Sequence, residues 1–204
     1  IAYMGIDLLY PVLRAILQEG GEVMRIFTCP TDNVTEFNTA VQETARAQGI
    51  PCTLDRITAA DLARLEEDGC ELLVCAGDYY RAPVSDTLPM VNFHPSPLPV
   101  GRGSWPMPLL LLRGMSQGGI TAHRMARDFD TGDILLQERF PIREGETLRS
   151  YMEQVYDRVP GMVHRLMTEL HALLAAARPQ GPGDYWPAPT EADWTVTPAM
   201  EAEP

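Results

Sequence analysis

Leu72-Leu73-Val74-Cys75-Ala76 is an unbroken apolar run. A strand wetted on one face alternates apolar and polar residues; one apolar throughout is covered on both faces, as in parallel sheets walled by helices. The segments before it fit that frame. Ile1 to Met4 reads as the end of a strand, and Leu8 to Leu17 as an amphipathic helix closed by Gly20-Gly21. Val23 to Cys29 reads as a second strand, Asn33 to Gln48 as a helix stopped by Gly49, Pro51 to Leu54 as a short strand and Asp61 to Glu66 as helix. Strands alternating with helices at this spacing predict an α/β, Rossmann-like fold with a mainly parallel central sheet and helices on both faces. Further on, Leu135 to Ile142 alternates as a strand. Thr147 caps a long helix over Leu148 to Ala177, with a kink expected at Pro160-Gly161. One domain is expected to span residues 1–178. Residues 179–204, rich in Pro, Gly and acids, read as a tail or linker whose Tyr185, Trp186 and Trp194 dock on it.

Composition removes several function classes. The net charge is −12, and all 16 basic residues are scattered arginines, which works against nucleic acid as a main partner. Without lysine the chain has neither a Schiff-base lysine nor that of a phosphate-binding P-loop. The cysteines, Cys29, Cys52, Cys70 and Cys75, have no C-x-x-C spacing and pair with no histidine in zinc-ligand order, so free thiols and no structural metal are predicted. No G-x-G-x-x-G follows a strand, so a dinucleotide fingerprint is absent. No segment is apolar enough to predict a membrane span, and no basic n-region precedes an apolar h-region. A cytoplasmic location is expected. Since the first residue is Ile1, a few N-terminal residues are expected to precede it.

Chemistry concentrates between Met90 and Gln137. Met90-Val91-Asn92-Phe93-His94 reads as a strand halted by Pro95, and residues two apart on a strand share a face, so Asn92 and His94 point the same way. Asp128-Phe129-Asp130-Thr131-Gly132-Asp133 follows a second predicted strand. An amide and a protonated imidazole can stabilise a developing oxyanion, and a carboxylate near both can raise the imidazole pKa and accept a proton, the needs of acyl transfer to an amine. Plainer readings stand beside this one. Asn-x-His before a proline can cap a loop, and Asp-Thr-Gly-Asp can be an ordinary turn. His123 reads as a packed or edge histidine, Trp105 and Met107 as packing at a helix start, and Asp133 as a turn acid.

Asn92-Phe93-His94-Pro95-Ser96-Pro97-Leu98-Pro99, then Arg102-Gly103, Gly119-Ile120-Thr121 and Asp130-Thr131-Gly132-Asp133-Ile134-Leu135 resemble the signature of the formyltransferases that use 10-formyltetrahydrofolate. That family includes methionyl-tRNA, glycinamide ribonucleotide and sugar N-formyltransferases. The resemblance implies a catalytic trio of Asn92, His94 and Asp130. It also implies a folate cleft bordered by Asp78, Tyr79, Tyr80 and Arg81, by Ser96, Leu98 and Pro99, and by Met125, Arg127 and Asp128. Neither a metal nor a covalent intermediate is implied.

The departures bear on the acceptor. Where tRNA-modifying members carry a basic, glycine-rich loop, this chain reads Pro30-Thr31-Asp32-Asn33-Val34-Thr35-Glu36, and the C-terminal barrel domain of those enzymes is not expected within these 204 residues. Where the glycinamide ribonucleotide branch has a phosphate loop, it reads Gly5-Ile6-Asp7-Leu8-Leu9. A small-molecule amine is therefore the expected acceptor. Methionyl-tRNA and, with water replacing the amine, hydrolysis of 10-formyltetrahydrofolate are the alternatives.

Overall fold

The structure is a computed structural model that describes residues 1–77 and 81–190. Seven strands form one sheet in the order β3-β2-β1-β4-β5-β6-β7. They are β1 (Ala2–Gly5), β2 (Arg25–Phe27), β3 (Cys52–Thr53), β4 (Leu73–Ala76), β5 (Met90–His94), β6 (Gln117–Arg124) and β7 (Ile134–Pro141). The first five run parallel, while β6 and β7 are antiparallel. The sheet is thus mainly parallel, as predicted. The apolar run is β4, buried on both faces between β1 and β5.

Helices α1 (Tyr10–Gln18), α2 (Thr39–Gln48), α3 (Ala59–Glu67), α4 (Pro106–Leu112) and α5 (Leu148–Ala175) cover the sheet. One core joins Leu13 and Ile16 of α1, Val155, Val159 and Leu166 of α5, and Tyr3, Val74, Val91 and Phe93 of the sheet. The other packs Leu62 and Leu65 of α3 against Met4, Phe27, Leu73 and Cys75. Alternate residues of β4 therefore point into different cores, which is why the run has no polar position.

Three local expectations are corrected. Helix α2 starts at Thr39, not Asn33, because the Asp32 carboxylate accepts from the backbone N–H groups of Val34, Thr35 and Glu36 in a loop that goes no further as helix. The second strand shortens to Arg25–Phe27. In α5 the backbone stays helical through Pro160 and departs from helix at Glu169 instead. The preceding Thr168 donates its hydroxyl back to the His164 carbonyl at 2.8 Å, a bond that bends helices. Thr147 caps α5 as expected, in a reciprocal capping box with Ser150. Cys29, Cys70 and Cys75 are buried and Cys52 is exposed.

Candidate active site

Asn92 and His94 share one face of β5, and both reach Asp130. Asp130 was expected just beyond a strand whose end lies beside that of β5, but β6 runs antiparallel to β5. The chain therefore leaves β6 at the wrong end and must fold back. It does so in a loop closed at its base by Arg124 N–H donating to Asp133 O at 2.9 Å. Gly132 packs there so closely that a Cβ would lie 2.0 Å from Arg124 O, which only glycine tolerates. Asp130 itself has a left-handed φ of 55°.

The carboxylate is fully engaged. Asn92 donates from Nδ2 to Asp130 Oδ1 at 3.1 Å, and Gly103 donates its backbone N–H to Oδ2 at 2.9 Å. His94 Nδ1 lies 3.5 Å and His123 Nε2 3.4 Å from Oδ1. His123, buried as a packed histidine would be, thus also reaches Asp130. It sits directly across from Asn92 in the β5–β6 register, with Nε2 3.2 Å from Asn92 Nδ2.

Backbone carbonyls set the tautomers. A carbonyl can only accept, so His94 Nε2, 2.7 Å from Gly101 O, carries a proton, as does His123 Nδ1, 2.7 Å from Arg124 O. The remaining nitrogens, His94 Nδ1 and His123 Nε2, both face Asp130 Oδ1. Burial lowers the His94 pKa below the ordinary 6.5; the Asp130 charge and the Gly101 bond oppose this without overcoming it. Burial alone would raise the Asp130 pKa, but the His94 and His123 imidazoles and the Gly103 N–H hold it well below the usual carboxylate range. The cluster is a carboxylate of lowered pKa faced by two imidazole nitrogens, with one amide donating into it. A proton released nearby finds an acceptor there.

These groups line a cavity together with Leu8, Cys75, Ala82, Phe93 and Met125, with Arg81 and Arg127 among its polar lining. Arg81 lies 3.8 Å from Asp128 and stacks over the Phe129 ring. Of the residues expected at the folate, Arg81, Met125, Arg127 and Asp128 line this cavity. Ser96, Leu98 and Pro99 do not line it: Ser96 is buried and donates to Val100 O, Leu98 is buried, and Pro99 packs against Gly183. Asp78, Tyr79 and Tyr80 lie outside the described residues, as does Trp194.

The segment expected as a tail contributes directly. Arg178 bridges to Ile134, and Gln180 donates from Nε2 to Asp130 O at 2.8 Å and Gly132 O at 2.6 Å. Trp186 is buried, its N–H donating to Arg102 O at 2.7 Å and the Arg113 guanidinium stacking on its ring. Tyr185 reaches the cavity. Among the described residues no cluster of His, Cys, Asp and Glu is placed to hold a metal, and no helix is long and apolar enough to cross a membrane.

Fold and site together define an α/β domain with an acid–base cluster of amide, imidazole and carboxylate. The chain belongs to the formyl transferase family, whose profile matches residues 65–167. It is 33% identical over 120 residues to a methionyl-tRNA formyltransferase of Treponema denticola, covering 57% of this chain and 37% of that protein. A GDP-perosamine N-formyltransferase of Brucella melitensis is 47% identical over 57 residues, 28% of this chain and 22% of the relative. The chain thus spans well under half the length of either relative. HypX from Aquifex aeolicus, solved in complex with tetrahydrofolic acid, has the same fold, with a TM-score of 0.68 at 15% identity over 96% of this chain and 31% of that one.

Proposed function

We propose that this chain transfers the formyl group of 10-formyltetrahydrofolate to a primary amine, and that the acceptor is a small molecule. The observation that carries the reading is the convergence of Asn92, His94 and His123 on Asp130 in the wall of one cavity. The cavity suits a reduced folate: an apolar lining for a flat ring system, with the exposed Arg81 and Arg127 able to meet an anionic tail. The tetrahydrofolic acid held by HypX, a protein of this fold, agrees with that assignment.

Bound 10-formyltetrahydrofolate supplies an activated formyl group. The chain's own groups then divide the work. The Asn92 amide is a donor suited to an oxygen gaining negative charge. Neutral His94, with its Nδ1 lone pair beside Asp130, takes the proton that an attacking amine must lose. Asp130 stabilises the imidazolium so formed, because its charge already lies 3.5 Å away. Gly101 O holds the ring in that tautomer throughout.

For the acceptor, the loop Pro30 to Glu36 carries Asp32 and Glu36 and no basic residue, which disfavours a nucleic acid backbone. Similarity to methionyl-tRNA formyltransferases keeps tRNA as the second reading. Calorimetry with 5-formyltetrahydrofolate, followed by screening of amines for tetrahydrofolate release, tests the proposal. Asp130→Asn should bind the folate and lose most turnover; wild-type turnover in that variant rejects the assignment. A gel shift with initiator tRNA at low salt decides the second reading. Formate release without any acceptor would mark a hydrolase.

A further inference from the structure

We propose that Gln180 is a positioning residue that holds the Asp130 turn in its catalytic conformation, making residues 178–186 part of the active site. The kinetic part of this inference rests on the formyl-transfer reading. All four hydrogen-bonding positions of the Gln180 amide are used. Its Nε2 donates to Asp130 O and Gly132 O, and its Oε1 accepts from Arg102 Nε at 3.1 Å and from a terminal Arg102 nitrogen at 2.9 Å. Two carbonyls two residues apart are thus pinned by a single NH2 group, across a turn whose first residue has a left-handed φ. A non-glycine residue in that region costs energy and needs its surroundings to hold it there.

The other half of the clamp grips the carboxylate. Arg102 precedes Gly103, whose N–H donates to Asp130 Oδ2. Arg102 is itself fixed by the carbonyls of Gly181 and Gly183, and its own carbonyl accepts from Trp186. The backbone of Asp130 is therefore tied through Gln180, and its side chain through Gly103, to the same arginine-centred strap. No aliphatic side chain of similar size could do this. The requirement is for a neutral group that donates twice on one side and accepts twice on the other.

Two variants test the role. Gln180→Met keeps the length and removes both donations; Arg102→Gln leaves Gln180 in place without its guanidinium anchor. The first readout needs no turnover: histidine ring resonances followed by NMR across pH. The charged and titratable groups facing His94 are Asp130 and His123. A carboxylate that swings away stops raising the His94 pKa, so its titration midpoint moves down in both variants, further in Gln180→Met. The second readout is tetrahydrofolate release from 10-formyltetrahydrofolate with hydroxylamine as probe amine. There kcat falls at least about tenfold in Gln180→Met, while KM for the folate changes little. An unchanged His94 midpoint and kcat in either variant, when folded, overturns the inference. If the wild type does not discharge 10-formyltetrahydrofolate at all, the formyl-transfer reading fails and the histidine titration still decides the role of Gln180.

Discussion

Asn92 and His123 face one another across the antiparallel pair of β5 and β6, with Asn92 Nδ2 3.2 Å from His123 Nε2. The same nitrogen donates to Asp130 Oδ1, so one amide is oriented by an imidazole and a carboxylate together. His123 is in turn held by its bond to Arg124 O. His123→Phe, which preserves ring volume, should leave Asn92 with one partner and lower kcat by about 10²-fold, with little change in KM for 10-formyltetrahydrofolate. Steady-state kinetics over both substrates checks this. A loss confined to KM would assign His123 to binding instead.

Acid should weaken the fold in two stages. His94 has a folded pKa below its ordinary 6.5, so the unfolded chain takes up that proton first. Stability is therefore full above pH 6.5 and falls as the pH drops from there toward the lowered folded value. Asp130 has a folded pKa below 3.8, so its contribution persists above that pH and is lost as the pH falls further. Melting temperatures between pH 8 and pH 3, measured for wild type and His94→Gln, should show the first stage flattened in the variant.

Catalysis should follow the same histidine. With neutral His94 as the proposed base, kcat should rise with pH through a midpoint below 6.5 and be level above it, provided the acceptor amine is unprotonated. Asp130→Asn removes the charge that raises the His94 pKa and moves the residual acid limb to lower pH. A limb that stays in place would mean another group titrates.

Part of this site was legible in the residues alone, and the dividing line is physical. Asn92 and His94 could be paired because two-residue periodicity puts them on one face whatever the strand's neighbours. His123 could not be placed, because alternation says nothing about strand direction or register, and the antiparallel pairing of β6 is what sets it opposite Asn92. The apolar run of β4 announced a doubly covered strand. The late start of α2 was hidden, since Asp32 gathers backbone N–H groups as a helix cap would. Gln180 lies in a stretch whose composition reads as a linker, and only its contacts reveal its importance.

Tyr151 links the long helix to the loop beyond the trio. Its hydroxyl donates to Pro95 O at 3.0 Å and accepts from the Gly119 N–H at 3.2 Å, in a buried setting that raises its pKa. Tyr151→Phe leaves a buried N–H without its partner and should cost about 1–3 kcal/mol, read by urea denaturation. Turnover at a temperature where the variant is folded should stay near wild type.

Gly103 should tolerate no side chain. Its φ is 122°, and a Cβ there would meet Trp186 O at 2.0 Å. Gly103→Ala should lift the segment around Trp186. Faster amide exchange in a peptide spanning residues 178–190 would report it, because the Trp186 N–H loses Arg102 O.

The Gln180 bonds also bear on the order in which the protein becomes active during synthesis. The carboxylate turn leaves the ribosome 50 residues before the glutamine that pins it. Sheet and helices can assemble in that interval, with Asp130 still free to leave its left-handed conformation. A nascent chain would therefore be folded before it is competent, and the step between the two states is the docking of one short strap.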